Sequence, residues 1–199
     1  MPDNTVQAAY TAIHDVYIDL FGSPTDLPPE DTAFALTHLA PGPVLDLGCG
    51  PGHFTKFLTD VGIPTTGIDL VPEFITHARS NYPDIAFELG SIRTLDTPAE
   101  SVPGLLAWFS LIHMDPADLP TVLAEFHRVL TPGGRLVIGF FESTDAVEPF
   151  PHKVTTAYRW PTDRLAETLH TAGFTELARL HHPASGDTRP HAALAVIKA

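Results

Sequence analysis

The sequence has 199 residues, of which 44% are hydrophobic, and its formal net charge is −13. A chain of this length can bury one substantial core and is predicted to fold as one domain. The acidic charge argues against a nucleic-acid partner, because proteins that bind nucleic acids hold the phosphates with clusters of Lys and Arg. No apolar run approaches the roughly 20 residues of a transmembrane helix, so no membrane partner is expected.

Cysteine and histidine usage narrow the function classes further. Cys49 is the only cysteine, so no intramolecular disulfide can form. Together with the lack of an apolar signal-peptide core near the first residues, this predicts a cytoplasmic protein. The eleven histidines form no H-E-x-x-H pattern, and His181 and His182 fall on a predicted strand, where neighbouring side chains point to opposite faces. The sequence therefore predicts no metal site.

Two helices are predicted at the start of the chain. Apolar residues recur with helical spacing from residue 5 to residue 20. A turn-rich link follows, and Glu30 and Asp31 then mark the first turn of a second helix, which ends at the Pro-Gly-Pro run 41–43.

A strand, a glycine-rich turn and a helix are predicted over residues 44–55, with the sequence V-L-D-L-G-C-G-P-G-H-F-T. Glycines permit positive φ and close approach of a ligand to the backbone, and the free N–H groups of the next helix point at that ligand. This pattern favours a nucleotide-like cofactor, with a plain strand-to-helix connection as the alternative. The dinucleotide fingerprint G-x-G-x-x-G fits poorly, because His53 occupies the position of its third glycine.

A second strand, predicted over residues 65–69, ends at Asp69. This acid follows the glycines by roughly 20 residues, the distance at which a carboxylate accepts hydrogen bonds from ribose hydroxyls. Dinucleotide-binding proteins share this acid, so it indicates a ribose without choosing the cofactor. A helix-capping role is the alternative.

The remaining elements follow in an alternating order. Helices are predicted over 71–81, 118–130 and 162–172, and strands over 85–89, 105–111, 176–182 and 192–198, with a further strand after the L-T-P-G-G turn at 130–134. Residues 142–160 show no period. A loop of this length inside a compact domain is usually functional or disordered.

The glycine loop preceded by an acid, the acid at position 69 and the L-T-P-G-G turn occur in the order and spacing of class I S-adenosylmethionine (SAM)-dependent methyltransferases. The sequence resembles this family over nearly its whole length, most specifically from about residue 44 to residue 141. The resemblance implies an α/β, Rossmann-like fold: a seven-stranded, mostly parallel sheet with one antiparallel strand near the C-terminus and helices on both faces. It also implies one domain over residues 1–199, in which 1–40 form a helical lid and 41–199 the α/β core.

The resemblance also implies which residues hold SAM. Ser91 departs from the family pattern, which usually has an acid at this position beside the adenine. The residues expected to contact the cofactor are Tyr17, Asp46, Gly48, Cys49, Gly50, Gly52, Asp69, Leu70, Ser91, Ile92 and Phe109.

The implied activity is in-line transfer of the SAM methyl group to a small-molecule acceptor, which leaves S-adenosylhomocysteine (SAH). Two alternatives stay open: a non-methylating member of the fold that uses SAM as a structural or electrostatic element, and a nicotinamide oxidoreductase, which His53 argues against. A hydrolase is disfavoured because no G-x-S-x-G motif occurs. The oligomeric state, monomer or homodimer, is left open.

His113 is the candidate catalytic residue. It follows the fourth strand, and open α/β sheets bind ligands outside the carboxyl ends of their strands. An imidazole with a pKa near 6.5 can take a proton from a hydroxyl or amine; the alternative is that His113 only bonds the backbone and shapes the pocket. His14, Tyr158 and Arg159 are further candidates for orienting an acceptor, and Arg159 suits a carboxylate.

Overall fold

The computed structural model describes residues 2–186 and 188–199. Its helices are α1 (Asp3–Thr11), α2 (His14–Phe21), α3 (Pro29–His38), α4 (His53–Asp60), α5 (Pro72–Asn81), α6 (Leu119–Val129) and α7 (Thr162–Thr171), with a short 3-10 helix at Pro24–Asp26. Among the helices of these residues, none combines the length and the apolar character that crossing a bilayer requires.

The strands form one sheet. They are β1 (Val44–Leu47), β2 (Thr65–Asp69), β3 (Ala86–Leu89), β4 (Val102–Trp108), β5 (Leu130–Glu142), β6 (Glu148–Pro151), β7 (Thr156–Trp160), β8 (Phe174–His182) and β9 (His191–Lys198). The order β3-β2-β1-β4-β5 is parallel throughout, β9 lies antiparallel beside β5, and β8 pairs with β9. The α/β class with a mostly parallel sheet and a reversed strand near the C-terminus is confirmed.

Central strands are apolar because helices cover both faces of a parallel sheet. Leu105, Leu106 and Ala107 of β4 are completely buried. Leu105 and Ala107 pack in the cluster of α6 and α7, whereas Leu106 packs in the cluster of α3 and α4. The alternation along β4 therefore divides the core into two layers, and the carboxyl ends of β1, β2 and β4 are left to form a site.

The sheet of the described residues has nine strands rather than the seven expected. The two additional strands, β6 and β7, lie in the segment 142–160, for which the sequence shows no period. They form a short antiparallel hairpin, and only Phe141 and Glu142 of β5 pair with β7. Such short strands, one of them containing two prolines, bury too few alternate residues to produce a period.

Three predicted boundaries are corrected. β5 begins at Leu130, so the L-T-P-G-G segment predicted as a turn before this strand forms its first residues. The helix predicted over 5–20 is two helices, because the backbone at Ile13 leaves the helical region at φ −126° and ψ 13°. No Gly or Pro marks this break; it accompanies the packing of the Tyr10 and Tyr17 rings against each other and against Phe74. The fourth strand ends at Trp108 rather than at residue 111, since Phe109 has a φ of +54°.

Candidate active site

The glycine loop joins β1 to α4 with the backbone in the left-handed region. Gly48, Gly50 and Gly52 have φ values of 76°, 55° and 90°. A Cβ on Gly48 would lie 2.4 Å from Cβ of Ser110, so a side chain is excluded there. A Cβ on Gly50 would meet only the Tyr17 ring, at 3.7 Å. Gly50 therefore leaves room at the carboxyl end of β1, while its conformation disfavours other residues.

Asp69 closes the loop from the neighbouring strand. Its Oδ2 accepts the N–H of Gly50 at 2.8 Å, and its Oδ1 accepts the N–H of Val71 at 2.9 Å. Burial raises the pKa of Asp69 to about 6, and the backbone hydrogen bonds oppose this shift. An ionised carboxylate has about four acceptor positions, so it can also accept hydroxyl donors.

Asp46 is a second buried carboxylate beside the loop. The hydroxyl of Thr55 in α4 donates to its Oδ2 at 2.6 Å. Burial raises the pKa of Asp46 to about 7, and the charge of Asp69 adds to this effect. The two buried carboxyl groups ionise less readily than in water. A positively charged ligand beside them is favoured, because it offsets the cost of removing the carboxylates from water and the repulsion between their charges.

Aromatic side chains of α1 and α2 cover this region. The Tyr17 ring lies above Gly50 and contacts the Tyr10 and Phe74 rings at centroid distances of 5.3 and 5.1 Å. Burial raises the pKa of Tyr17 to about 12, and the Asp69 charge contributes. The predicted residues Tyr17, Gly50 and Asp69, far apart in the sequence, are thus brought together.

The start of α1 is bound to the loop after β3. The Ser91 hydroxyl donates to the Asp3 carboxylate, and Arg93 Nε donates to Asp3 Oδ1 at 2.7 Å. Arg93 also pairs with Asp118, at 3.2 Å. Ser91, at the position where an acid was expected, therefore contacts an acid supplied by the first helix.

His113 is hydrogen-bonded at both ring nitrogens. Its Nδ1 donates to the carbonyl of Thr156 at 2.8 Å, because a carbonyl can only accept. In the neutral ring Nε2 then carries the lone pair, to which the Tyr10 hydroxyl donates at 3.1 Å. Burial lowers the pKa of His113. Burial thus favours the neutral imidazole, whose basic nitrogen faces α1.

An aromatic wall lies next to His113, beyond the carboxyl ends of β4 and β5. It consists of Phe109, Phe141, Phe150 and His152, whose neighbouring ring centroids lie 5.1 to 6.1 Å apart. The His152 ring is 5.3 Å from the His113 ring, and its buried Nδ1 has no hydrogen-bond partner within residues 2–186 and 188–199. Burial, followed by the charge of His113, lowers the pKa of His152 to about 4.

Several predicted residues lie elsewhere or face away. His14 bonds to the Thr11 carbonyl and to Asp15, on the outer side of the first helices. Tyr158 approaches Asp115, whereas Arg159, the next residue on β7, lies over the Phe150 ring at 4.8 Å. Neighbouring residues of a strand face opposite sides, so Tyr158 and Arg159 do not line one pocket.

Three further predicted cofactor contacts occupy the loop and its surroundings. The side chain of Cys49 is buried against Ile75 and Phe87, and its thiol donates to the Gly50 carbonyl at 3.6 Å. Leu70 is half-buried directly after Asp69, and Ile92 belongs to the main core.

Asp3, Tyr10 and His152 also belong to the site, although none of them is among the site residues predicted from the sequence. Tyr10 lies on the predicted first helix, but helical spacing alone does not distinguish a ring that packs on the sheet from one that contacts His113. His152 falls in the segment without a period, whose histidine and aromatic content was the only available signal. Asp3 carries no sequence signal.

The residues of the site fit SAM. Gly50 offers open backbone, Asp69 retains acceptor positions for ribose hydroxyls, and two buried carboxylates suit a ligand with a sulfonium and an ammonium group.

Comparison with known proteins agrees with this geometry. A family model described as a methyltransferase domain matches residues 44–134. Trans-aconitate 2-methyltransferase of Rhizobium meliloti (strain 1021) is 32% identical over 120 residues, which are 59% of this chain and 46% of that protein. An uncharacterized methyltransferase of Synechocystis is 31% identical over 164 residues, 74% of each protein. The chain thus spans about half the length of the Rhizobium relative and three quarters of the Synechocystis one.

One solved structure is similar over almost the whole chain. It is the crystal structure of 1,6-didemethyltoxoflavin-N1-methyltransferase of Burkholderia thailandensis with bound 1,6-didemethyltoxoflavin and SAH. The two share 26% identity with a TM-score of 0.82, and the match covers 98% of this chain and 88% of the other.

Proposed function

Because this chain belongs to the class I SAM-dependent methyltransferases, we propose that it transfers the methyl group of SAM to a small-molecule acceptor. The observation that carries the proposal is the junction of the glycine loop with Asp69, where the N–H of Gly50 donates to the carboxylate at 2.8 Å. This hydrogen bond holds the open backbone at Gly50 next to the Asp69 carboxylate, which can accept further hydrogen bonds.

Each part of the loop has a proposed role towards SAM. Gly48, Gly50 and Gly52 let the cofactor approach the backbone, Asp69 accepts from the ribose hydroxyls, and Asp46 faces the positively charged end. Leu70, Ser91 and Ile92 hold the adenine, with Cys49 contributing backbone only. Tyr17 and Phe109 cover the cofactor from opposite sides, and residues 1–40 act as a lid on the core 41–199.

His113 is the proposed general base. Bound SAM supplies an electrophilic methyl carbon on a sulfonium sulfur. The acceptor must reach this carbon in line with the departing sulfur, so the main task of the protein is placement. As the acceptor atom gains the methyl group it loses its proton to Nε2 of His113, whose lone pair is oriented by the Thr156 bond at Nδ1. In this arrangement the acceptor takes the place of the Tyr10 hydroxyl.

The aromatic wall suggests the class of acceptor. Phe109, Phe141 and Phe150 offer apolar ring faces, which favour a flat molecule. His152 adds an Nδ1 without a partner among the described residues. Arg159, which lies over Phe150 and pairs with Glu148 at 3.6 Å, adds a guanidinium of the kind that binds carboxylates. The acceptor is therefore proposed to be a planar small molecule with a polar or acidic substituent. His14 and Tyr158, which lie away from this wall, are left out of the proposed acceptor site.

The setting of the reaction is proposed from composition. A net charge of −13 and a single cysteine support a cytoplasmic enzyme that acts on neither nucleic acid nor membranes.

Incubation with methyl-labelled SAM and a metabolite extract tests the proposal. We expect SAH and a labelled small molecule by mass spectrometry, and calorimetric binding of SAM but not NADH.

Gly50→Val should abolish both SAM binding and label transfer, because the valine side chain fills the loop. Gly62→Val is the matched control: Gly62 also has positive φ, 91°, but has open space around it. NADH binding without SAM binding would contradict the proposal, and SAM binding without any labelled product would favour the non-methylating alternative.

A further inference from the structure

Two histidines and a buried aspartate meet at the edge of the molecule where β8 ends and β9 begins. His182 and His191 are direct partners in the antiparallel pair β8–β9, so their side chains share one face of the sheet. Their rings stack at a centroid distance of 4.4 Å with 23° between the planes. Asp31, in the first turn of α3, lies against them and is 2% exposed.

The hydrogen bonds of this cluster orient metal-binding atoms towards one another. Nδ1 of His191 donates to the carbonyl of Arg189 at 3.0 Å, which in the neutral ring places the lone pair on Nε2. Nε2 of His182 lies 2.8 Å from Oδ1 of Asp31, and its Nδ1 lies 3.5 Å from the Glu30 carboxylate. One ligand atom from each of Asp31, His182 and His191 lies within 4.8 Å of the other two.

From this geometry we propose that Asp31, His182 and His191 bind a zinc ion. Imidazole nitrogens with a carboxylate are a common zinc donor set, and water completes four-coordination. Tetrahedral bonds of about 2.0–2.1 Å require ligand atoms roughly 3.4 Å apart, so small rotations of the two imidazoles suffice.

Zinc binding at Nε2 of His182 requires the proton on the other ring nitrogen, so the proton that lies between Nε2 and Asp31 passes to Nδ1. Nδ1 of His182 then donates towards Glu30, and Nδ1 of His191 continues to donate to Arg189. Both ligand rings would thus have the outer hydrogen bond that orients metal-binding histidines in proteins. The sequence shows no short-range metal-binding spacing for this site, because position 31 is remote from 182 and 191 and only the folded chain brings the start of α3 against the final hairpin.

A bound ion would join the start of α3 to the β8–β9 hairpin. It would also fix the ring of His191, which contacts Phe109 of the aromatic wall at 5.8 Å. The site is separate from the SAM loop and does not depend on methyl transfer.

The test is a titration of chelator-treated protein, without a polyhistidine tag, with Zn²⁺ in a calorimeter and with Co²⁺ by visible absorption. We expect one ion per chain, the absorption bands of a low-symmetry Co²⁺ site, and a higher melting temperature in zinc. His191→Ala keeps the Asp31–His182 bond and should weaken Zn²⁺ binding by at least about tenfold, in line with the usual sensitivity of metal sites.

His181→Ala is the matched control. His181 precedes His182 on β8 but faces the other side, where its Nδ1 lies 2.8 Å from the Glu142 carboxylate. It should leave the Zn²⁺ affinity within about twofold, since no proposed ligand or outer bond is removed. Absence of stoichiometric binding, equal affinity in wild type and His191→Ala, or equal loss in His181→Ala would each overturn the assignment.

Discussion

At the scale of single residues, the bonds of His113 determine what its ring can do. Its Nδ1 is occupied by the Thr156 carbonyl, so only Nε2 can accept a proton. The Tyr10 hydroxyl already donates to that nitrogen at 3.1 Å, which places a hydrogen-bond donor where the proposed acceptor group would lie. If His113 is the general base, its removal should lower turnover strongly. If it only bonds the backbone and shapes the pocket, turnover should change little.

We expect His113→Ala to lower kcat by about 10²–10⁴-fold, the usual contribution of general-base catalysis, with SAM affinity nearly unchanged. The pKa of His113 is lowered by burial, so the wild-type rate should fall on the acidic side, below its ordinary value of 6.5, as the ring becomes protonated. The variant should lose this acidic limb. Steady-state rates from pH 4.5 to 8.5 measure both effects.

His170→Ala, an exposed histidine at the end of α7, is the control for His113 and should retain both kcat and the acidic limb. A His113→Ala enzyme with most of its turnover would assign His113 to pocket shape alone.

At the scale of elements, α1 and α2 hold the N-terminal segment over the glycine loop by two kinds of contact. Tyr10 and Tyr17 pack on Phe74, and Asp3 is bound by Ser91 and Arg93. The Ser91 and Arg93 contacts lie directly beside the proposed adenine site. Opening of these helices would therefore accompany cofactor entry and release.

Asp3→Ala should release this end of the proposed lid. We expect SAM to dissociate about three- to tenfold faster, since partly exposed ion pairs contribute about 1 kcal/mol or less, and a hydrogen bond to a charged group contributes somewhat more. The rate is measured by stopped-flow chase with excess unlabelled SAM. Asp15→Ala is the control and should leave the rate unchanged, because this side chain is 88% exposed and pairs with the neighbouring His14. An unaltered rate in Asp3→Ala would mean that the aromatic contacts alone hold the lid.

The elements also show how far the sequence determines the structure. The strand ending at Asp69 is predicted at its observed bounds, because an apolar run, flanking turns and a terminal acid all coincide. The β6–β7 hairpin is not predicted, since its strands are short and pair mainly with each other. The hydrogen bond between Tyr10 and His113 joins residues 103 positions apart, and such a tertiary contact leaves no local pattern.

At the scale of the whole molecule, two buried acids make stability depend on pH. Burial raises the pKa of Asp46 to about 7 and that of Asp69 to about 6, against about 3.9 in an unfolded chain. Between about pH 4 and pH 7 the unfolded chain releases protons that the folded protein retains, so the contribution of these acids to stability falls as pH rises. His152 acts in the opposite direction, because its pKa is lowered to about 4 in the folded protein. As pH falls below about 6.5, the unfolded chain binds a proton that the folded protein does not, so stability decreases.

Asp46→Asn separates the contribution of Asp46 to stability from the opposing contribution of the histidines. The amide oxygen can still accept the Thr55 hydroxyl bond, but the side chain cannot ionise. The unfolding free energy of the variant minus that of the wild type should increase by on the order of 2 kcal/mol from pH 5 to pH 7.5. Only the wild type must bury a charge at the higher pH. Urea unfolding without SAM at both pH values measures this difference. Asp60→Asn, on the exposed side of α4, is the control and should show no such change with pH. A pH-independent difference for Asp46→Asn would mean that Asp46 is already ionised in the folded protein at pH 5, stabilised there by Thr55 and the surrounding backbone.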